Sequence, residues 1–400
     1  MTDLFWPGDH RAGAIMSQTA YLDALVLAET CWLTTLVEYG VAPANAAADL
    51  GTLLRPEDRD EIATTAERDG NPVTALVALL RSRAEPATAR WLHRGLTSQD
   101  VVDTALMLCL REALDAVRHH LGAQIPTLVG LTGTYRHAPM LTRTLTQPAL
   151  PGTAGRKFAG WLTAVLDAAD GLKALPDLPV AVGGAAGTLA AGTELTGSPE
   201  AALSLTRYWA ASLGLAATYP WHTTRSVITR AGDALVGCCD AWGHLANDIA
   251  VGGRAEVGEF TEGSGGGSST MPYKNNPVLT VLLRRAALTA PALGTTLHAA
   301  SAASVDERSD GGWHAEWATL RTLARCAVVA ASQAADLLAG LRINVEHASA
   351  NQAGAHGIYA EQHTMSALAG HQPSPHYFGA TDLLIDIALQ RARDYLKETP

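Results

Sequence analysis

Eleven consecutive residues, 267–277, bring together groups that can do acid–base chemistry on a carboxylate substrate. The glycine-rich stretch 262–267 leads into two adjacent hydroxyls, one cation and a predicted helix start. Lys274, the Asn276 amide and the free N–H groups of the following helix would all favour a bound carboxylate. The same field would lower the pKa of Ser268 and make that hydroxyl a usable base. Because Ser and Gly are ordinary loop residues, the residues alone favour catalysis and an inert capped loop equally.

This segment resembles the long, position-specific signature of the fumarase/aspartase superfamily, Gly-Ser-Ser-x-Met-Pro-x-Lys-x-Asn-Pro. The resemblance implies that Ser268 removes the proton on the carbon next to a carboxylate. It assigns Lys274 and Asn276 to hold that carboxylate and the negative charge that develops on it. The preceding glycines would then form a loop that closes over the substrate and excludes water. No cofactor and no metal are expected.

Two further segments match the superfamily in the right order. Residues 95–105 resemble its first shared region, in which a Thr-Ser pair at a helix start binds a substrate carboxylate, and residues 143–151 resemble its second. A helix cap or a packed loop explains either segment alone, but three matches together make that explanation inadequate. The resemblance assigns substrate binding to four polar residues, Thr97, Ser98, Thr144 and Gln147.

The second segment departs from the superfamily at Leu145, where fumarate-releasing members commonly carry a histidine. A leaving group that needs protonation would then lack its proton donor. A leaving group that departs as a stable anion, such as a carboxylate, needs no proton donor. This departure resembles the bacterial 3-carboxy-cis,cis-muconate cycloisomerase branch, whose members close a diene tricarboxylate to a lactone. Four more stretches resemble that branch: 91–94, 182–190, 221–225 and 313–317. Arg225, in the third of these, is a weaker candidate for substrate binding.

Other departures indicate a rival within the same superfamily. Tyr273 and Asn275 replace residues that are usually His or Gln and Arg in the cycloisomerase branch, so the loop lacks a cation beside its lysine. Arg156 stands where an apolar residue is usual. On the surface it would be an ordinary exposed charge, but in the site it would offer a planar fork for a carboxylate or nitro group.

We therefore expect a cycloisomerase first and a nitrosuccinate lyase as its alternative, because nitrite is also a good leaving group and would tolerate Leu145. Lyases of the adenylosuccinate or argininosuccinate type, which break a C–N bond, are a further alternative. A non-catalytic relative is the remaining one, and the intact signature argues against it.

Helical spacing of apolar residues runs through almost the whole chain and predicts the elements that hold these groups. Long amphipathic helices are predicted after Thr97, over 226–254 and from Asn276 onward, where Asn276 would cap the helix and Pro277 would occupy its first turn. Strand-like alternation is nearly absent. The predicted fold class is all-α, with a bundle of long helices.

The resemblance implies a three-domain fumarase/aspartase-like fold with a central long-helix bundle. The expected domains are 1–94 (N-terminal helical), 95–331 (central bundle with the signature loop) and 332–400 (short C-terminal helical). It also implies a homotetramer in which each active site borrows segments from three chains. A composition of 48% hydrophobic and 17% charged residues agrees with extensive area buried between subunits.

Net charge, apolar patterning and cysteine spacing argue against a nucleic-acid-binding, membrane or zinc-binding protein. A net charge of −10 removes the attraction that nucleic-acid binding needs. Residues 1–11 lack the pattern of a leader, and Gln333 and Asp336 interrupt the apolar stretch 326–341, so we expect a cytoplasmic protein without membrane contact. The five cysteines show no Cys-x-x-Cys or zinc-ligand spacing and are expected to be small buried hydrophobes.

Overall fold

The computed structural model describes residues 3–398 and consists mainly of α-helices. Within this range there are fourteen: α1 (Gln18–Glu38), α2 (Asp58–Asp69), α3 (Pro72–Arg83), α4 (Pro86–Trp91), α5 (Ser98–Thr134), α6 (Ala154–Lys173), α7 (Ala190–Thr196), α8 (Pro199–Leu213), α9 (Ser226–Gly252), α10 (Val278–Ala302), α11 (Gly311–Gly340), α12 (Val345–Ala353), α13 (Ala360–Ala369) and α14 (Thr381–Glu398). Short 3-10 helices lie at Asp9–Ala12, Ala44–Ala46, Leu50–Leu53 and Gly184–Ala186.

Two pairs of two-residue antiparallel strands are the only sheet in the described range: β1 (Arg143–Thr144) with β2 (Gln147–Pro148), and β3 (Phe260–Thr261) with β4 (Arg342–Ile343). Strands this short add little to a fold built from helices of up to 37 residues. The predicted all-α fold class is confirmed.

The three long helices predicted from apolar spacing are present with adjusted ends. α5 begins at Ser98, and α9 ends at Gly252, just before the predicted end. α10 begins at Val278, and the Asn276 side chain does not cap it. Instead the Asn276 amide donates to the Gly267 carbonyl at 3.2 Å, so the predicted cap is wrong.

The chain folds into two compact units, each assembled from three separate stretches of sequence. Unit one comprises the described residues of Met1–Asp115, Leu175–Asp233 and Ala292–Arg325. Unit two comprises the described residues of Ala116–Ala174, Ala234–Pro291 and Cys326–Pro400. The three domains expected from the sequence stay a prediction.

A buried charge cluster lies in the interior of unit one. The Arg225 guanidinium, just before α9, binds the Asp103 carboxylate of α5 at 2.7 Å and the Glu316 carboxylate of α11 at 2.6 Å. Its side chain is 0% exposed, and the Trp313 indole also donates to Asp103 at 2.9 Å. Burial raises the pKa of Glu316, although hydrogen bonds from Arg225 oppose the shift. One cation thus compensates two enclosed carboxylates where three helices meet.

Aromatic rings form the centre of unit two. Phe158 and Trp161 of α6 lie 5.0 Å apart between ring centroids, and Phe260 of β3 lies 5.7 Å from Trp161. The Trp161 indole donates to Asp248 of α9 at 2.7 Å. Phe260 also packs so closely on α9 that a Cβ at Gly252 would lie 2.3 Å from its ring. These contacts fix β3 to the core, and the predicted catalytic loop follows β3 directly.

The cysteines have the predicted character of small buried hydrophobes. Four are buried and Cys31 is half-buried, and all five are free thiols. Burial raises the pKa of Cys109 and of Cys238 to about 12, so both thiols stay protonated at neutral pH.

Two helices, α1 and α11, are long and apolar enough to cross a membrane by length and composition alone. Half of the apolar window of α1 and 72% of that of α11 are buried inside the structure. α11 also carries the enclosed Glu316 carboxylate. This burial is typical of core helices in soluble proteins.

Removing Arg225 should destabilise the fold in a pH-dependent way. Arg225→Met would leave Asp103 and Glu316 enclosed without a cation, at a cost of about 3–5 kcal/mol. Burial already raises the pKa of Glu316, and without the Arg225 cation it would rise further above its unfolded value of about 4.3. Folding would therefore take up protons, so the loss of unfolding free energy is largest near pH 7 and shrinks toward about pH 5. Urea titrations at the two pH values measure this loss.

Arg230→Met is the matched control, because Arg230 is exposed on the same helix, α9. It should change the free energy of unfolding by less than about 0.5 kcal/mol. An Arg225 variant as stable as this control at neutral pH would contradict the role assigned to the cluster.

Candidate active site

Residues 263–277 form a loop that joins β3 to α10 and is pinched at its neck. Gly266 and Asn276 exchange two backbone hydrogen bonds, both of 2.8 Å. The neck requires glycine, because a Cβ at Gly266 would lie 2.3 Å from the Val278 side chain and one at Gly265 would lie 1.7 Å from the Asn275 side chain. The Gly266–Asn276 pair therefore closes the base of the tip, residues 267–275.

Ser268 lies at the start of this tip with two backbone amides directed at its hydroxyl. Its Oγ accepts a hydrogen bond from the Met271 N–H at 3.1 Å and a longer one from the Thr270 N–H at 3.4 Å. Donors of this kind stabilise the oxyanion more than the neutral hydroxyl, so they favour ionisation. Ser268 is half-buried. This arrangement fits a serine that acts as a base.

Lys274 and Asn276 complete the same loop but are placed differently. Lys274 is exposed, and its ammonium has no ion pair within residues 3–398. The Lys274 N–H donates to the Met271 carbonyl at 3.0 Å, and the N–H of the same Met271 binds the Ser268 hydroxyl. Asn276 is half-buried and donates its side-chain amide to the Gly267 carbonyl, which helps to close the neck.

The start of α10 is not open to a substrate, contrary to expectation. The Glu262 carboxylate accepts from the Leu279 N–H at 2.8 Å and from the Thr280 N–H and hydroxyl at 3.0 and 2.9 Å. Glu262 is only 5% exposed, so the anion that satisfies this helix start belongs to the chain itself. Sequence reasoning missed Glu262 because it lies 17 residues before its partner Leu279.

The second segment forms a hairpin in unit two with a strained tip. β1 and β2 pair Thr144 with Gln147, and both side chains are exposed. The turn residues Leu145 and Thr146 have φ values of 48° and 70°, a left-handed conformation that costs a non-glycine residue about 1–2 kcal/mol. Turns of this geometry usually use Asn-Gly. Such strain is found preferentially at binding sites and catalytic sites.

The base of this hairpin is tied to the segment that leads into the serine loop. Arg143 forms a two-point ion pair with Glu259, at 2.6 and 2.9 Å, and Asn351 donates to the same carboxylate at 2.9 Å. Glu259 is 1% exposed and immediately precedes β3. Arg143 and Glu259 were not among the predicted site residues, because nothing in their spacing indicates that they meet.

The first segment lies in unit one, at the start of α5. Asp100, which is 0% exposed, accepts from the Thr97 N–H at 2.8 Å and from the Gly183 N–H at 2.9 Å. A ring nitrogen of His222 lies 2.7 Å from the same carboxylate. The hydroxyls of Thr97 and Ser98 are half-buried and make no hydrogen bond within the described part of the chain. They are free to bind a ligand.

The two arginines predicted to bind substrate have opposite surroundings. Arg225 is completely enclosed and shared between Asp103 and Glu316, so it braces unit one and presents no free N–H group to solvent. Arg156 is exposed on the first turn of α6, close to Gly160, and has no ion pair in the described residues. Arg156 is therefore an available cation and Arg225 is not.

The structure thus gathers Ser268, Lys274 and Asn276 on one loop of unit two. Thr144, Gln147 and Arg156 lie in the same unit, on the hairpin and on α6, but no hydrogen bond joins them to that loop among residues 3–398. Thr97 and Ser98 lie in unit one.

Known proteins resemble this chain over most of its length. A sequence family described as "Lyase" matches residues 44–291. A nitrosuccinate lyase from Streptomyces davaonensis is 42% identical over 350 residues, which cover 84% of this chain and 74% of that protein. A 3-carboxy-cis,cis-muconate cycloisomerase from Bradyrhizobium diazoefficiens is 36% identical over 341 residues, which cover 82% and 74% respectively.

Solved structures are also similar. The crystal structure of the 3-carboxy-cis,cis-muconate lactonizing enzyme from Pseudomonas putida matches with a TM-score of 0.82 at 27% identity, covering 94% of this chain and 95% of that one. The family match over residues 44–291 includes all three motifs, the serine loop among them. The chain is an enzyme that belongs to the fumarase/aspartase superfamily of lyases.

Proposed function

We propose that this enzyme catalyses β-elimination from a substituted succinate, in which Ser268 removes the proton next to a carboxylate and nitrite departs to leave fumarate. The observation that carries the proposal is the pair of amide hydrogen bonds to the Ser268 hydroxyl, from Met271 at 3.1 Å and Thr270 at 3.4 Å. Preorganised donors at a developing negative charge are a large source of catalysis. Here they would stabilise the alkoxide that must take the proton.

The proposed step balances with the substrate and the chain's own groups. The Ser268 alkoxide takes the proton, and the C–H electron pair moves into the neighbouring carboxylate to give its aci form. That pair then forms the C=C bond while the C–N bond breaks, and nitrite leaves with the bonding electrons. The unpaired Lys274 ammonium would neutralise the aci-carboxylate. Asn276 would assist by exchanging its bond to the Gly267 carbonyl for a substrate oxygen.

The remaining polar groups of the substrate need donors that the chain has not already used. The hydroxyls of Thr97 and Ser98 are free of internal hydrogen bonds in the described range, which supports carboxylate binding at the start of α5. The exposed side chains of Thr144 and Gln147 would bind from the strained hairpin. Arg156 would add a planar cation that suits a nitro group. We leave Arg225 out of this set because its enclosure leaves it no free donor.

Three residues favour a dicarboxylate that releases nitrite over an amine-releasing substrate or a tricarboxylate. Leu145 is 95% exposed at the hairpin tip and cannot donate a proton, so an amine leaving group would depart without protonation. Tyr273 and Asn275 leave Lys274 as the single cation of the loop, which suits a dicarboxylate better than a tricarboxylate. The 42% identity to a nitrosuccinate lyase supports the same choice.

Lactonisation of a carboxymuconate is the second candidate. The TM-score of 0.82 to a lactonizing enzyme over 94% of the chain favours it. In that reaction a carboxylate oxygen adds to a double bond and the neighbouring carbon is protonated, which reverses the β-elimination of a carboxylate. The same serine would supply the proton.

We further propose that the enzyme is a cytoplasmic homotetramer whose active sites combine segments from several chains. Val281 and Leu288 of α10 support an interface, because they are 54% and 82% exposed and seven residues apart on one helix face. A mass of four chains by light scattering is the expected result, and a monomeric mass would contradict the assembly.

Offering the purified protein nitrosuccinate, 3-carboxy-cis,cis-muconate, adenylosuccinate and argininosuccinate in parallel tests the reaction. We expect nitrosuccinate to give fumarate and nitrite in equal amounts, measured by ultraviolet absorbance and by a colorimetric nitrite assay. Loss of diene absorbance with carboxymuconate alone would establish the second candidate instead. Fumarate released only from a C–N substrate would contradict both.

Replacing Ser268 by alanine should lower kcat by about 10²–10⁴-fold, the range that a general base contributes. Ser269→Ala is the matched control, since Ser269 is the adjacent exposed hydroxyl and its side chain makes no hydrogen bond to the Thr270 and Met271 amides in the described residues. The oligomer should stay intact in both variants. Equal rates for the two variants would remove Ser268 from the mechanism.

A further inference from the structure

We propose that Glu262 is a positioning residue that sets the geometry of the serine loop by holding the loop's two legs together. The incoming leg runs from β3 to the neck, and the outgoing leg runs from the neck into α10. This inference rests on the proposed function only in that the loop carries Ser268. Glu262 itself touches no reacting group.

The Glu262 carboxylate spans the gap between the two legs. It belongs to the incoming leg and binds the outgoing leg through the Leu279 N–H, the Thr280 N–H and the Thr280 hydroxyl, at 2.8 to 3.0 Å. Hydrogen bonds to an ionised carboxylate are roughly twice as strong as neutral ones. The positive end of the α10 dipole adds to this attraction. These three hydrogen bonds, which we call the clasp, join the two legs of the loop.

The incoming leg is rigid, so the clasp has a fixed side. Thr261 pairs with Arg342 in the β3–β4 ladder. Gly263 lies directly on the backbone of α11, where a Cβ would come within 2.3 Å of the Gly340 carbonyl oxygen. Glu262, between these two positions, therefore holds α10's first turn at a set distance from β3.

Above this clasp, a single backbone pair, Gly266 with Asn276, closes the neck. The tip residues 267–275 are mostly exposed and carry Ser268 and Lys274. If the clasp opens, the legs are kept together at the neck by the Gly266–Asn276 backbone pair and by the longer bond of 3.2 Å from the Asn276 side chain to the Gly267 carbonyl. The orientation of the Ser268 hydroxyl toward the substrate then loses its support.

A plain helix cap is the competing explanation for Glu262. Loss of a cap lowers the stability of the fold without changing the exposure of the loop tip or the chemical step. Loss of a positioning clasp instead raises the exposure of the tip and lowers kcat more than it changes KM. The two explanations therefore differ in their readouts.

Trypsin reports the exposure of the tip, because Lys274 is the sole lysine or arginine between Arg254 and Arg284. Cleavage after Lys274 gives fragments 1–274 and 275–400. We would compare Glu262→Gln, which keeps the length and one acceptor, with Glu262→Ala, which removes the clasp, in the full chain. Glu256→Gln is the matched control, since Glu256 is exposed in the preceding segment and has no bonded partner in the described residues.

We expect cleavage at Lys274 to be about tenfold faster in Glu262→Ala and to rise less in Glu262→Gln, because cleavage follows the population of the open tip. The kcat for the active substrate should fall in the same order, with KM changed less, while Glu256→Gln matches the parent. Where a substrate turns over, parallel changes in cleavage and kcat support the proposal, whereas a change in only one of the two, or in neither, overturns it. If no tested substrate turns over, the proposed function fails and cleavage alone decides the role of Glu262, which unchanged cleavage in Glu262→Ala would then overturn.

Discussion

The hydrogen bonds from the Met271 and Thr270 amides to the Ser268 hydroxyl are the interaction on which the proposed site depends. A serine hydroxyl is a poor base unless its anion is stabilised, and these amides are directed at the oxygen by the backbone turn of the tip. The turn exists because the neck closes below it, and the neck closes because glycine permits the approach of Gly266 to Asn276. The neck and the turn of the tip therefore together determine the orientation of the Ser268 Oγ.

Three buried carboxylates each bind one of the three polar segments. Asp100 binds the Thr97 amide, Glu259 binds the Arg143 guanidinium, and Glu262 binds the first turn of α10. All three are at most 5% exposed, and each accepts several hydrogen bonds that offset the cost of burying its charge. The chain's own anions thus bind the backbone and the arginine of these segments. The hydroxyls of Thr97 and Ser98 in unit one, and the cations Arg156 and Lys274 in unit two, have no internal partner among the described residues.

The sequence was sufficient for the fold class and for the identity of the serine loop. Apolar periodicity predicts α5, α9 and α10 because helix packing imposes it, and the signature loop is contiguous in sequence. The hydrogen-bond and ion-pair partners of the buried charged groups were not predictable in the same way. Glu262 and Leu279, Arg143 and Glu259, and Arg225 and Glu316 are 17, 116 and 91 residues apart, and only the tertiary fold brings each pair together. For the same reason, the sequence made Arg225 a candidate for substrate binding, although in the structure Asp103 and Glu316 bind its guanidinium inside unit one.

A structure of the enzyme with a nitronate analogue of the substrate tests the central claim most directly, because a nitronate has the planar shape of the aci-carboxylate and also carries negative charge on both oxygens. The account predicts that the Ser268 Oγ lies within about 3.2 Å of the carbon that loses its proton. The Met271 amide should still bind that oxygen, and the Lys274 ammonium should contact the nitronate oxygens. A bound nitronate with its carbon next to a different side chain, and with Ser268 turned away, would contradict it.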